Sequence, residues 1–306
     1  MTPLIALVVL LAPDVWMLPG WLGPERMPAG NTVIFRGADG LVVMDTGRGN
    51  EHTTALLAEL EALGGDVEAI VNSHWHLDHL GGNLRLVGAY PDAVVHAGPG
   101  LDHARAGFMS RYSAQIGEML EGGELSDERE TQLRKELALV GAAERLAPDV
   151  VVEDSGPRSL AGRPLEVYLE TRAVSEGDLW VYDPGTKLLA AGDLVVLPAP
   201  LFDTACPRYW QAALERIAAT GFERLVPGHG KVMSRAEFER WREAFDGLLE
   251  CAGSEGEAAA CADGWYEAVG PLGEYHDASY ARQLVEYYVT RHLRASPEDA
   301  ERLCGK

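Results

Sequence analysis

The sequence predicts an α/β layered protein, and three observations carry that expectation. Strand-like and helix-like segments alternate along the N-terminal part of the chain. A dense set of histidines and carboxylates at positions 74–79 directly follows a strand-like run. From about Ser234 onwards the chain is helical almost throughout.

The elements follow in order. Val15–Leu18, Thr32–Arg36 and Leu41–Met44 are short β-type runs broken by Gly and Pro, and the GADG between the last two is a hairpin signal. Residues 50–63 have helical spacing, with Leu56, Leu57, Leu60 and Leu63 on one side and Gly64-Gly65 as the stop. A strand at 67–71 runs into NSHWHLDHLGGN, and a helix near 83–90 and a strand at 93–96 follow. Residues 99–146 read as helices with a break at Gly122-Gly123, an inserted helical cap rather than more sheet. Strands return at 165–169, 179–182 and 188–191, with DPGT as the turn between the last two. Residues 207–220 form a helix with proline at its first position, and Leu225-Val226 is a last strand. The expected organisation is a first segment at 1–12, a catalytic domain at 13–232 and a helical extension at 233–306.

Composition bounds the function. The 306 residues are 47% hydrophobic and 24% charged, enough for a sizeable core. A formal net charge of −21, from 47 acidic and 26 basic side chains, repels phosphate backbones and disfavours nucleic acid as a partner. Leu4 to Ala12 form an apolar run of signal-core length, too short to span a bilayer and lacking a preceding Lys or Arg. Export to a periplasmic or secreted location is the expectation; a first buried strand in a cytoplasmic protein is the alternative. Cys251 and Cys261 flank AGSEGEAAA between two helical segments and could staple them, or stand as two buried thiols. Cys206 and Cys304 have no metal-type neighbour, and no CxxC occurs.

The chemistry concentrates at His74-Trp75-His76-Leu77-Asp78-His79. A loop at the end of a strand can make three imidazoles and a carboxylate converge, where a helix would scatter them. That ligand set suits zinc and neighbouring divalent metals. Sharing a pocket without a metal, these groups would suffer desolvation and mutual repulsion. Asp45, Asp193 and His229, taken singly, could be ordinary turn residues beside glycines.

HWHLDH resembles the HxHxDH signature of the metallo-β-lactamase superfamily. Val42-Val43-Met44-Asp45-Thr46-Gly47 is similar to the strand and DTG segment before that signature. Ala191-Gly192-Asp193-Leu194 and Pro227-Gly228-His229-Gly230 resemble its GD and PGHG motifs. The resemblance spans roughly residues 14–232 and implies a four-layer αββα sandwich. It implies that His74 and His76 hold one metal, that Asp78, His79 and His229 hold a second, and that Asp193 bridges the two. It further implies a nucleophilic water or hydroxide between the metals, oriented by Asp78 as the catalytic carboxylate, and a supporting role for Asp45 behind a ligand histidine. The family's further histidine, in a GHTxGD-like segment, aligns with Val174 in Ala173-Val174-Ser175-Glu176-Gly177-Asp178, and valine cannot bind a metal. The first position is therefore one ligand short, with Glu170, Glu176 and His103 as conceivable substitutes, and the second is the more secure.

The expected function is that of a zinc-dependent hydrolase acting on a small ester, lactone, thioester or β-lactam. The cap residues Phe108, Met109 and Tyr112 would shape an apolar pocket, although each could equally be core. The alternative is a binding protein that keeps the fold without the chemistry.

Overall fold

The computed structural model describes residues 8–296, apart from 25, 50, 124 and 274–277, together with Cys304. The apolar residues 4–7 of the candidate signal core, the expected helix start at Asn50 and most of the chain after 296 lie outside the described residues.

Two mixed sheets face each other. The first runs β1 (Val9–Ala12), β2 (Val15–Leu18), β3 (Thr32–Arg36), β4 (Leu41–Met44), β5 (Val67–Asn72), β6 (Val94–Ala97) and β7 (Val150–Val151), in that spatial order. Its first four strands are antiparallel neighbours, and β4 through β7 pair in parallel. The second sheet has the order β13-β12-β11-β10-β9-β8, built from β8 (Gly156–Leu160), β9 (Arg163–Glu170), β10 (Asp178–Asp183), β11 (Leu188–Ala190), β12 (Arg224–Val226) and β13 (Met233–Ser234).

The helices are α1 (Glu51–Leu63), α2 (Leu77–Leu80), α3 (Asn83–Ala89), α4 (Leu101–Ala104), α5 (Ser110–Glu121), α6 (Asp127–Gly141), α7 (Pro207–Ala218), α8 (Arg235–Ala252), α9 (Ala258–Val269) and α10 (Ala278–Tyr288). A π-helical turn, Arg105–Met109, joins α4 to α5.

The period-two alternation of strands decides the layers. Along β4, Val42 and Met44 face the second sheet and pack with Val167, Leu179 and Val181; Leu41 and Val43 face the other way, among Leu56, Leu60 and Leu86 of α1 and α3. Both faces of β4 are thus buried, which is why it reads as a continuous apolar run rather than an alternating one. The outer face of the second sheet is covered by α7–α10 around Trp180, Trp210, Trp241 and Phe245. The result is the four-layer αββα sandwich. The helical insertion packs Met109, Val140 and Leu146 against Trp75, Leu77 and Leu80 beside the histidine cluster.

Some elements depart from expectation. Val9–Ala12 pairs with β2 as the edge strand, so the last four residues of the N-terminal apolar run belong to the sheet. β8, with sequence GPRSL, has alternating exposure and pairs along β9; its Gly and Pro hide it as a turn. Cys251 and Cys261 are disulfide-bonded between α8 and α9. Cys206 and Cys304 are disulfide-bonded too, a pairing that the sequence reading did not propose. Their separation of 98 residues leaves no local pattern to read. Among the described residues no helix is long and apolar enough to cross a membrane.

Candidate metal centre

The C-terminal ends of the central strands converge at the site. β5 ends at Asn72 and delivers Ser73 through His76, and α2 carries Asp78 and His79 on one short turn. β4 leads into Asp45, β11 into Asp193, and β12 into His229. Open α/β sheets place their ligands beyond such strand ends. Backbone proximity matters at two glycines. A Cβ on Gly228 would lie 1.9 Å from Asp193 Oδ1, and one on Gly30 would lie 2.4 Å from His79 Cε1. Both glycines let the backbone pass close to ligand side chains.

The candidate ligands fall into two groups: His74, His76 and Asp193, and Asp78, His79 and His229. Within each group one donor atom per residue lies within 4.8 Å of the others. Asp193 touches both. Its Oδ2 is 3.7 Å from His74 Nε2, while its Oδ1 is 3.1 Å from His79 Nε2 and 3.7 Å from His229 Nε2. Asp78 Oδ2 lies 3.2 Å from His229 Nε2 and 3.8 Å from His79 Nε2.

His74 Nε2, His79 Nε2, His229 Nε2 and both Asp193 carboxylate oxygens are buried without a hydrogen-bond partner. A buried polar atom left unsatisfied costs about 1–3 kcal/mol, so five in one pocket describe a cavity shaped for a cation. The donor chemistry, imidazole and carboxylate, fits a divalent metal of the zinc type.

The opposite nitrogens of His79 and His74 are held by the protein, whereas His229 Nδ1 is buried without a hydrogen-bond partner. Asp45 Oδ2 is 2.8 Å from His79 Nδ1. The same carboxylate accepts from Ser73 N at 2.7 Å and Ser73 Oγ at 2.7 Å, and Ser73 Oγ is 2.9 Å from His74 Nδ1. Because the Ser73 proton goes to Asp45, its oxygen accepts from His74 Nδ1–H, which leaves Nε2 bare. One carboxylate thus sets the tautomers of two imidazoles. Asp45 holds this pose with φ at 61°, a left-handed backbone that Asp tolerates better than most residues.

The electrostatics show how much negative charge converges on the same pocket. Burial opposes a charge on Asp78, but His79, His229 and Arg48 hold its carboxyl well below the usual range. Asp193 is likewise lowered against burial, by His79 and His229. Burial works against a proton on His79, yet Asp193, Asp45 and Asp78 raise its pKa well above the ordinary value. His74 is pushed well down by burial and by its histidine neighbours. Three carboxylates around this pocket form a field that a dication would neutralise.

Arg48, Glu136 and Ser73 were not legible as site residues. Arg48 Nη1 is 3.7 Å from Asp78 Oδ1, and its guanidinium forks onto Glu136 of α6, with Nε at 3.0 Å from Oε2. The helical insertion is therefore tied to the cluster by a buried ion pair, whose 88-residue separation leaves no sequence signal. Ser73, next to the motif, could have been marked by its hydroxyl. Phe108 reaches over the site, its ring 6.3 Å from His76 and 5.5 Å from Trp75, with Tyr112 stacked behind at 6.2 Å.

The conceivable substitute ligands do not join the donor groups. His103 is an exposed side chain bonded to Glu176 at 2.9 Å. Glu170 accepts from Trp180 Nε1 at 3.0 Å and pairs with Arg216. Val174 is buried in the core cluster under the second sheet.

Known proteins resemble this chain in sequence or in fold. A hydroxyacylglutathione hydrolase of Synechococcus sp. (strain JA-3-3Ab) is 51% identical over 41 residues, 13% of this chain and 16% of that protein, so the likeness is local. The structure of a metallo-beta-lactamase from Pontibacter korlensis matches with a TM-score of 0.56 at 22% identity, covering 78% of this chain and 98% of that one. A sec-alkylsulfatase from Pseudomonas sp. matches with a TM-score of 0.61 at 20% identity. That match covers 92% of this chain, so it reaches into the C-terminal helices, and 50% of the sulfatase chain. At such identities these structures speak for the fold. The sequence profile of the metallo-beta-lactamase superfamily matches residues 27–229, from ahead of β3 to the late histidine. With the αββα sandwich and both donor groups in place, the chain belongs to the metallo-beta-lactamase superfamily.

Proposed function

We propose that the protein is a zinc-dependent hydrolase of a small organic ester, thioester, lactone or β-lactam. The observation that carries the reading is the pair of donor groups joined by Asp193, in which His74 Nε2, His79 Nε2, His229 Nε2 and both Asp193 oxygens lack a hydrogen-bond partner within the protein. His74, His76 and Asp193 would hold one ion, and Asp78, His79, His229 and Asp193 the other. Divalent ions there supply Lewis acidity, which makes water nucleophilic near neutral pH and polarises a carbonyl oxygen.

The chain's own residues do the rest. Asp45 and Ser73 keep His79 and His74 in the tautomers that leave Nε2 free. Asp78, fixed by Arg48, stays ionised beside His229 and is placed to orient water. Phe108, Trp75 and Tyr112 give the approach an aromatic wall, which favours a compact organic substrate over a polyanion. The net charge of −21 works the same way. An exported, oxidising location is part of the proposal, supported by the two disulfides.

The test couples metal content to activity. Elemental analysis should find one to two zinc ions per chain. A panel of chromogenic esters, thioesters and lactones, with a chromogenic β-lactam, should include a substrate whose hydrolysis chelator abolishes and zinc restores. Protein that retains no metal, or hydrolysis unchanged in chelator, refutes the reading.

A further inference from the structure

His76 differs from the other ligand histidines in what holds it. Its Nε2 lies 2.9 Å from Thr204 Oγ1, and the Thr204 hydroxyl donates to the Val174 carbonyl at 2.8 Å. A hydroxyl has one proton. Once that proton is committed to Val174 O, the contact with His76 requires the imidazole to donate from Nε2. A neutral imidazole has only one N–H, so Nδ1 keeps its lone pair.

The residue whose carbonyl anchors this relay is the one standing where the family's additional histidine aligns. The loop around it is rigidly built. Ala173 N and Ser175 N donate to the buried Asp178 carboxylate, at 3.1 and 3.0 Å, and Ser175 Oγ donates to it at 2.8 Å.

We propose that Thr204 is the positioning residue of the first metal position: anchored on the Val174 backbone, it fixes His76 as the Nε2–H tautomer and thereby presents Nδ1 to the ion. The assignment rests on the metallo-hydrolase reading above. It gives position 174 a contribution through its backbone where its side chain can give none.

The C-terminal helices hold Thr204 in place. Tyr288 of α10 donates to Asp203 Oδ2 at 2.6 Å, and Cys206 is bonded to Cys304. Trp241 Nε1 and Trp265 Nε1 donate to the carbonyls of Val196 and Pro198, at 2.9 and 2.8 Å. Cys206 N donates to Ala173 O at 2.7 Å, closing the segment back onto the 173–178 loop. The extension outside the matched family region therefore reaches the first metal position through one short segment.

Two substitutions and two readouts test this. Thr204→Val keeps the shape and removes the hydroxyl, while Thr204→Ser keeps the hydroxyl. In a competition titration with a zinc chelator, Thr204→Val should weaken the looser zinc site about 10- to 100-fold, the range expected for loss of a group that orients a ligand histidine. The tighter site should stay within about twofold, and Thr204→Ser should restore the looser one. The second readout uses metal-free protein: nitrogen-15 NMR of labelled histidine should show His76 protonated at Nε2, with a tautomer mixture in Thr204→Val. Wild-type affinity at both sites in Thr204→Val, a Thr204→Ser variant as weak as Thr204→Val, or His76 protonated at Nδ1 in the wild type overturns the assignment. If the wild type binds no zinc while His76 carries its proton at Nε2, the hydrolase reading has failed and the tautomer relay stands alone.

Discussion

The two halves of the metal centre are built to different standards. The second position draws Asp78, His79 and His229 from two segments of the chain and has Asp193 Oδ1 facing it. His79 is wholly enclosed and braced by a carboxylate that also touches Ser73. The first position has two histidines and the other oxygen of Asp193. Its braces are neutral hydroxyls: Ser73 behind His74 and Thr204 behind His76. A carboxylate bonded to an imidazole raises its basicity more than a hydroxyl does. Ligand number and the charge of the supporting groups therefore point the same way, to a tight second ion and a looser first one. The expected difference in affinity comes from the chemistry lining the two positions.

The largest expected effect comes from removing what the halves share. Asp193→Ala should lower retained metal below one ion per chain and reduce hydrolysis by about three orders of magnitude, or about 4 kcal/mol of transition-state stabilisation. Two fully retained ions in that variant would break the comparison, because Asp193 would then belong to neither group.

Next in size is the tie between the insertion and the second position. Glu136→Ala leaves the buried Arg48 guanidinium facing only Asp78. Unfolding in denaturant should report a loss of about 3–5 kcal/mol, as for one partner removed from a buried ion pair. The effect on zinc should appear at the tighter site, through Asp78, and an effect confined to the looser site would contradict the geometry.

Val174→His probes the asymmetry from the other side. Restoring an imidazole at the aligned position should tighten the looser zinc by about tenfold, or about 1.4 kcal/mol, in the same competition titration. The tighter site should not change. Unaltered affinity would show that side chain 174 does not face the ion.

A pH dependence beside the second position gives a separate test. His52 Nε2 lies 2.8 Å from Thr32 Oγ1, and burial, with His229 and His79 nearby, pushes its pKa down to about 4. A depressed folded-state pKa contributes stability that is present above the unfolded value near 6.5 and is lost as pH falls towards 4. The melting temperature should therefore fall over that window, by an amount corresponding to at most about 3 kcal/mol. His52→Gln should flatten the acid limb, and an identical limb in that variant would place the loss elsewhere.

Much of this was legible in the chain. HWHLDH stands out by its density of imidazole and carboxylate, whereas Asp193 and His229 were singled out only through the resemblance of the GD and PGHG motifs, because each alone reads as a turn residue. The buried strands could be read from their apolar runs, and α7 from its leading proline. β8 could not, because its Gly and Pro match a turn, and its strand state depends on pairing along β9. Arg48 with Glu136, Thr204 with His76, and Cys206 with Cys304 are pairings across long stretches of chain. No local pattern encodes them.

The sequence by itself determined the candidate ligand types, their order and the layered α/β architecture, because hydrophobic periodicity and side-chain donor chemistry are local properties of residues. Tertiary structure alone decided which nitrogen of each histidine faces the cavity. It also decided that Asp193 spans two donor groups and that the C-terminal helices hold the segment behind His76. Those outcomes depend on distances between residues far apart in the chain, which the packing of the two sheets and their helices fixes.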